Sequence, residues 1–185
     1  SYNDKNYMVA EVWTNFGTFS KYYSSNIDSV FNFAFATESG KIATTLNNKG
    51  SSNSGKAFGE AMIQVQKQLE KYSDTAIDAP FFTNHDTSRA AGYFMRDPVK
   101  TKMAGGMNLM MSGNVFVYYG EEIGMSGTGK DENKRAPMYW YDDNRPGMTT
   151  GPKNMDKVEH SFGSVESQQR DPLSIYNYYK RAIRL

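Results

Sequence analysis

The strongest constraint on this chain is an alternation. Short apolar runs, "YMVAEVW" (7–13), "SVFNFAF" (29–35), "IDAPFFTN" (77–84) and "NVFVYYGEE" (114–122), are interleaved with segments of helical period. Apolar residues fill these runs instead of alternating with polar ones, as in strands buried on both faces. The spacing of Phe58, Ala61, Met62, Val65 and Leu69 predicts a helix through 56–72. A second is predicted in "RDPVKTKMAGGMNLMMSGN" (96–114), with Asp97 as N-cap, Pro98 at the first helical position and Gly113 at the stop. Its paired Gly105 and Gly106 are poor helix formers and mark a site of close packing. "RDPLSIYNYYKRAIRL" (170–185) repeats the Asp-Pro opening and predicts a closing helix through Leu173, Tyr176, Tyr179 and Ile183. Residues 37–55 read as a polar connection, and 126–170 as a long functional loop region. The pattern is that of a parallel sheet covered by helices, whose sites lie at strand ends.

Charge narrows the choice of partner. Lys and Arg total 21 against 20 Asp and Glu, so no basic field exists to attract nucleic acid or an anionic membrane. With no cysteine, disulfides and thiolate metal sites are excluded. Two histidines, His85 and His160, do not make a multi-histidine metal centre. No apolar run approaches the ~18 residues of a spanning helix, and "SYNDKNYMVAEVW" is not a signal segment. Aromatics make up 14% of the chain, enough to furnish both a core and a few exposed rings that stack on sugars or bases.

Chemistry concentrates in "FFTNHDTSR" (81–89), where an apolar run ends in Asn84, His85 and Asp86, with Arg89 three residues on. A turn bonded by Asn and Asp to its own backbone accounts for part of this, and half a metal site is a further reading. Glu11 ends the first run as Asp86 follows the third, so a parallel sheet carries both carboxylates at one edge. Two such groups serve acid/base work or bind sugar hydroxyls; alone, Glu11 also reads as a strand-end acid paired with a cation. Arg89 either orients Asp86 or pairs at the surface. Glu121, Glu122, Tyr119 and Trp140 have structural readings as good as functional ones, and His160 is assigned no role.

The ordered motifs "VAEVW", "FFTNHDTSR", "GNVFVYYGEEIGM" and "KRAPMYW" resemble the C-terminal half of an α-amylase superfamily enzyme, glycoside hydrolase family 13. The resemblance covers essentially the whole chain. It implies strands five to eight of a TIM-type (β/α)8 barrel, an α/β parallel half-barrel over residues 1–185, and retaining cleavage or transfer of α-glucosidic bonds. By resemblance, Glu11 is the general acid/base and Asp86 the carboxylate that binds ring hydroxyls and stabilises the transition state. His85, Trp13, Asn84 and Arg89 are the matching substrate-binding candidates. Partial desolvation beside Trp13 is expected to keep Glu11 protonated. Glu121 and Glu122 are expected to be structural, tied to bases such as Arg135. Ala10 stands where the family often has Gly.

The same resemblance defines what is missing. The nucleophilic Asp of a G-F-R-x-D-like motif and the earlier D-x-x-x-N-H pattern do not occur in the chain. A complete barrel takes about 250 residues. The chain therefore reads as a partial catalytic domain, inactive alone, that acts on starch or maltooligosaccharides within a longer parent. No metal or cofactor is assigned to it; calcium belongs to the intact parent. No nucleic acid or membrane partner is expected, and exposed sheet edges are expected to favour self-association. The compartment stays open, with an extracellular or cell-surface setting favoured. Transglycosylase or isomerase relatives, a non-catalytic carbohydrate-binding relative and an unrelated α/β binding domain are the competing readings.

Overall fold

The computed structural model describes residues 6–48 and 53–185. The chain divides into two compact units, residues 1–81 with 111–116, and residues 82–110 with 117–185.

The first unit carries the parallel sheet. Strands β1 (Val9–Ala10), β2 (Ser29–Asn32) and β3 (Ala79–Pro80) lie in that order. Val9 stands opposite Ser29, and Phe31 opposite Ala79. Residues 114–116 run beside β3, with a parallel bridge between Phe81 and Phe116. The Phe116 amide donates to the Pro80 oxygen (2.8 Å) and the Asn114 amide to the Asp78 oxygen (2.9 Å). The fourth apolar run thus supplies a short strand position before the chain passes into the other unit.

Aromatic rings fill the sheet's packing. Phe31 meets Phe81 and Phe116 edge-on at 5.4 and 4.8 Å, and Phe33 meets Phe81 at 5.0 Å. Much of the chain's aromatic content is spent on such edge-to-face contacts, each adding to simple burial. Tyr23 fastens β2 to the segment that leads into β3: its hydroxyl accepts from the Val30 amide (2.9 Å) and lies 3.1 Å from the Ile77 oxygen, to which it donates.

Among the described residues this unit also carries three α-helices and one 3-10 turn. After α1 (Phe16–Phe19) comes a 3-10 turn (Ser20–Ser25), then α2 (Lys41–Asn47) and α3 (Ser54–Leu69). The expected stripe on α3 is present, with Val65 and Leu69 buried and Phe58 edge-on to Phe35 at 5.5 Å. Helix α2 corrects the expectation of a bare connection over 37–55, of which 49–52 lie outside the described residues. Its two fully buried residues, Ile42 and Ala43, are too short a signal to show a period. Gly40 begins it because any Cβ there would stand 2.0 Å from the Ala36 oxygen.

The second unit is helical: α4 (Ala90–Tyr93), α5 (Pro98–Leu109), a 3-10 turn (Glu121–Ile123), α6 (Asp131–Lys134), α7 (Val165–Arg170) and α8 (Ile175–Ala182). Asp97 caps α5 as expected, its Oδ1 accepting from the Val99 and Lys100 amides at 2.9 and 3.1 Å. Gly105 and Gly106 are the close approach that their pairing suggested. A Cβ on Gly105 would meet the Tyr179 ring at 2.3 Å, and one on Gly106 the Tyr178 hydroxyl at 2.2 Å.

Helix α8 departs from expectation at its start. Asp171 closes α7, and the N-cap of α8 is Ser174, whose Oγ accepts from the Asn177 amide at 3.1 Å. With the helix begun later, Ile175 and Tyr179 are buried, whereas Leu173 and Ile183 are exposed. Residues 126–170, expected as loop, carry α6 and α7 and contribute Ala136 and Val165 to a core with Ile123 and Met125.

Candidate active site

In the first unit Glu11 follows β1 directly and is exposed. Trp13 stacks on Phe33 with centroids 4.9 Å apart and keeps 61% of its surface open. Its ring therefore packs on the phenylalanine, and the desolvated setting expected for Glu11 is not formed among the described residues. An open indole of this kind is a face on which a sugar ring can stack.

In the second unit "NHD" forms a tight turn. The Asn84 Oδ1 accepts from the Asp86 amide (2.9 Å), and the Asn84 amide donates to Thr87 Oγ1 (3.0 Å). Asn84 is thus an Asx-type turn residue. Asp86 is not, because its carboxylate turns outward to side chains. Arg135 Nη2 donates to Asp86 Oδ1 at 2.8 Å, and His85 Nε2 lies 3.3 Å from Oδ2. Lys134 Nζ holds the Asp86 main-chain oxygen at 2.9 Å. Asp86 and His85 are both part-open, so hydroxyls can reach them.

Arg89 corrects one of its two sequence readings. It does not pair at the surface; it is wholly buried, and its side-chain bonds go to main-chain oxygens and not to Asp86. Its Nε donates to the Lys134 oxygen (3.1 Å) and Nη1 to the Tyr119 oxygen (2.5 Å). The guanidinium carbon lies 4.4 and 4.7 Å from the ring centroids of Tyr118 and Tyr119. Glu121 Oε1 is 3.6 Å from Nη1, too far for a hydrogen bond, so the pair is an ion contact only. Burial pushes the Glu121 carboxyl up to about 7, with Arg89 pulling it back.

Glu121 is paired with a base, as expected for a structural carboxylate, but that base is Arg89, and Arg135 serves Asp86. Reasoning from sequence missed Lys134 as an Asp86 contact; its only signal was the doubled cation of "KRAP". Tyr119 spends its hydroxyl on the Ala136 oxygen at 2.7 Å, and Trp140 is half-exposed. His160, given no role, stacks face-on to Tyr139 at 3.8 Å, and burial lowers its pKa. Sequence reasoning also missed Asp78, buried in the first unit with both oxygens on Asn32 Nδ2 at 3.1 and 2.9 Å. A polar residue inside each of two apolar runs was the signal.

Among the described residues no group of three His, Cys, Asp or Glu can hold a metal ion. No helix among them is long and apolar enough to cross a membrane.

Comparison with known proteins assigns the family. A profile described as "Alpha amylase, catalytic domain" matches residues 1–185. The chain belongs to that family. Alpha-amylase 3 of Dictyoglomus thermophilum is 34% identical over 185 residues, covering 97% of this chain and 34% of the relative. The solved structure of Amy13B of Eubacterium rectale superposes with a TM-score of 0.89 at 47% identity, over 96% of this chain and 35% of that one. An alpha-amylase of H. orenii superposes at 0.78 with 32% identity, over 97% of this chain and 36% of that one. This alpha-amylase family chain therefore spans about a third of the length of those relatives. Its parallel sheet with helices is the partial (β/α) barrel expected from the sequence, and its relatives are glycosidases.

Proposed function

We propose that this chain supplies the acid/base and a hydroxyl-binding carboxylate to a retaining α-glucan-active glycosidase. What carries the reading is the family match over all 185 residues together with the motifs around Glu11 and Asp86. Acetal cleavage needs a proton on the departing oxygen and stabilisation of an oxocarbenium-like carbon. Glu11 gives that proton as the glycosidic C–O bond breaks, then recovers one from the incoming water. Asp86 and His85 grip ring hydroxyls whose hydrogen bonds strengthen in the transition state. Trp13 offers an apolar face to the sugar, and Asn84 shapes the turn that presents Asp86.

The covalent step of a retaining reaction needs a further carboxylate as nucleophile, and no G-F-R-x-D-like motif occurs in these residues. Turnover therefore belongs to the intact parent. The decisive experiment is Glu11→Gln in that parent, which keeps shape and removes the proton donor. Cleavage of maltooligosaccharides should fall by roughly a hundred- to ten-thousand-fold. Glucosides with good leaving groups need little protonation and should keep most of their glycosylation rate. Equal loss on both substrates would assign Glu11 a structural role instead.

A further inference from the structure

We propose that Arg89, which touches no solvent, is a positioning residue for Asp86, acting through the backbone at Lys134. The proposal rests on the reading of Asp86 given above. Three hydrogen bonds and the main chain close a ring within one unit. Arg89 Nε holds the Lys134 oxygen at 3.1 Å, Lys134 Nζ holds the Asp86 oxygen at 2.9 Å, and the next residue, Arg135, holds Asp86 Oδ1 at 2.8 Å. The chain from 86 to 89 completes the circuit, stiffened by the Asn84 amide on Thr87 Oγ1. A second set of bonds anchors the far side. The Arg89 amide donates to the Gly127 oxygen (3.0 Å), and Glu121 Oε2 accepts from the Ala90 amide (3.2 Å).

Stability alone is a poor account of this arrangement. Burying a guanidinium costs desolvation that only full pairing repays. Here Nη2 is buried with no hydrogen-bond partner, and Glu121 Oε1 likewise has none. An apolar side chain between Tyr118 and Tyr119 would pack without that cost. What it cannot do is fix direction. The planar fork of Arg89 sets Tyr119 and Lys134 oxygens at defined angles, and Lys134 and Arg135 carry that register to the main chain and carboxylate of Asp86. Because Asp86 acts on hydroxyls in the transition state, a displacement of about 1 Å costs about a hundredfold in rate.

The test uses the intact parent enzyme with maltooligosaccharides. Arg89→Met should lower kcat about a hundredfold with KM little changed, since transition-state contacts are lost and ground-state binding is kept. Arg89→Lys keeps charge but not the fork, and should lie between parent and Met variant. In an Asp86→Asn background, Arg89→Met should cost almost nothing more, because the group it positions is already disabled. If Arg89→Met does not fold, Lys134→Met tests the same ring and should show the same collapse of its effect in that background. A full additional loss in the Asp86→Asn background, or unchanged kcat in folded Arg89→Met or Lys134→Met, overturns the proposal. Asp86→Asn with parental activity would instead remove the reading of Asp86 itself, and the positioning role with it.

Discussion

The Asp86 carboxylate is shared between two side chains of different kind, Arg135 Nη2 at 2.8 Å on one oxygen and His85 Nε2 at 3.3 Å on the other. The guanidinium comes from the segment beside α6, the imidazole from the same turn as Asp86 itself. Both partners leave the carboxylate part-open, so a bound hydroxyl competes with neither for every lone pair.

Arg135 should therefore matter more for catalysis than for stability. Its pair with Asp86 is about one-third exposed on each side, 36% and 35%, and such pairs add about 0–1 kcal/mol. Arg135→Met in the intact parent should shift the unfolding free energy by less than about 1 kcal/mol. If Asp86 has the role proposed for it, the same change frees its carboxylate from the contact that orients it on ring hydroxyls, so kcat/KM should fall about 10- to 100-fold. Denaturant titration and steady-state kinetics on one preparation check both. A large stability loss with intact kcat/KM would reverse the assignment.

What the sequence made legible here, and what it did not, divides along a physical line. Asp97, Pro98, Gly105 and Gly106 act within a turn or at van der Waals contact, and their residue types permit few alternatives. Glu11 and Asp86 are proposed from motifs, which order residues without showing their neighbours. The pairing of cations with carboxylates was where reading failed. Arg89 and Arg135 are chemically equivalent on paper, and only tertiary packing sends one to Glu121 and the other to Asp86. The start of α8 failed for a related reason: Asp171 and Ser174 are both good caps, and burial of Ile175 and Tyr179 decides for Ser174.

Burial of Asp78 should make part of the stability pH-dependent. Its carboxyl is pushed up to about 6 from an ordinary 3.8, mainly by burial, with the Asn32 amide opposing. Between those values the folded state holds a proton that the unfolded state has released. Stability from this group is thus full below about pH 4 and is lost as pH rises through about 6, an effect of about 2–3 kcal/mol. Glu121, raised to about 7 by burial, acts in the same direction. Asp78→Asn should gain stability relative to the parent at pH 7 compared with pH 4. Denaturation midpoints at the two pH values measure this, and an equal difference at both would show that Asp78 does not titrate in that window.

Gly105→Ala tests the contact between α5 and α8. Alanine favours a helix over glycine by about 1 kcal/mol, yet its Cβ would stand 2.3 Å from the Tyr179 ring, itself buried. Overpacking of that kind costs about 1–3 kcal/mol, so the variant should melt lower than the parent. Gly59→Ala in α3 is the control, since nothing lies within 4 Å of its would-be Cβ. That variant should melt slightly higher. If both rise, Tyr179 moves aside freely and the glycine is not needed for packing.

Residues 1–185, purified alone, should hydrolyse neither starch nor maltooligosaccharides. They contain the proposed proton donor and hydroxyl-binding Asp but no match to the motif of the nucleophile that forms the covalent intermediate. The sheet also bears on how such a preparation behaves. Among the described residues β1 has a strand neighbour on one side only, β2, and residues 114–116 have only the β3 side. Unpaired backbone groups along such edges are templates for further strands, which a closed barrel would remove. On the proposal that these residues are part of a longer barrel, the chain alone should self-associate, and mixing it with a segment that supplies the nucleophile should disperse the aggregate and restore cleavage. Light scattering follows the first effect and reducing-sugar release the second. Robust turnover by the isolated monomer would mean that the nucleophile lies within these residues, and Glu11 and Asp86 would then need new roles.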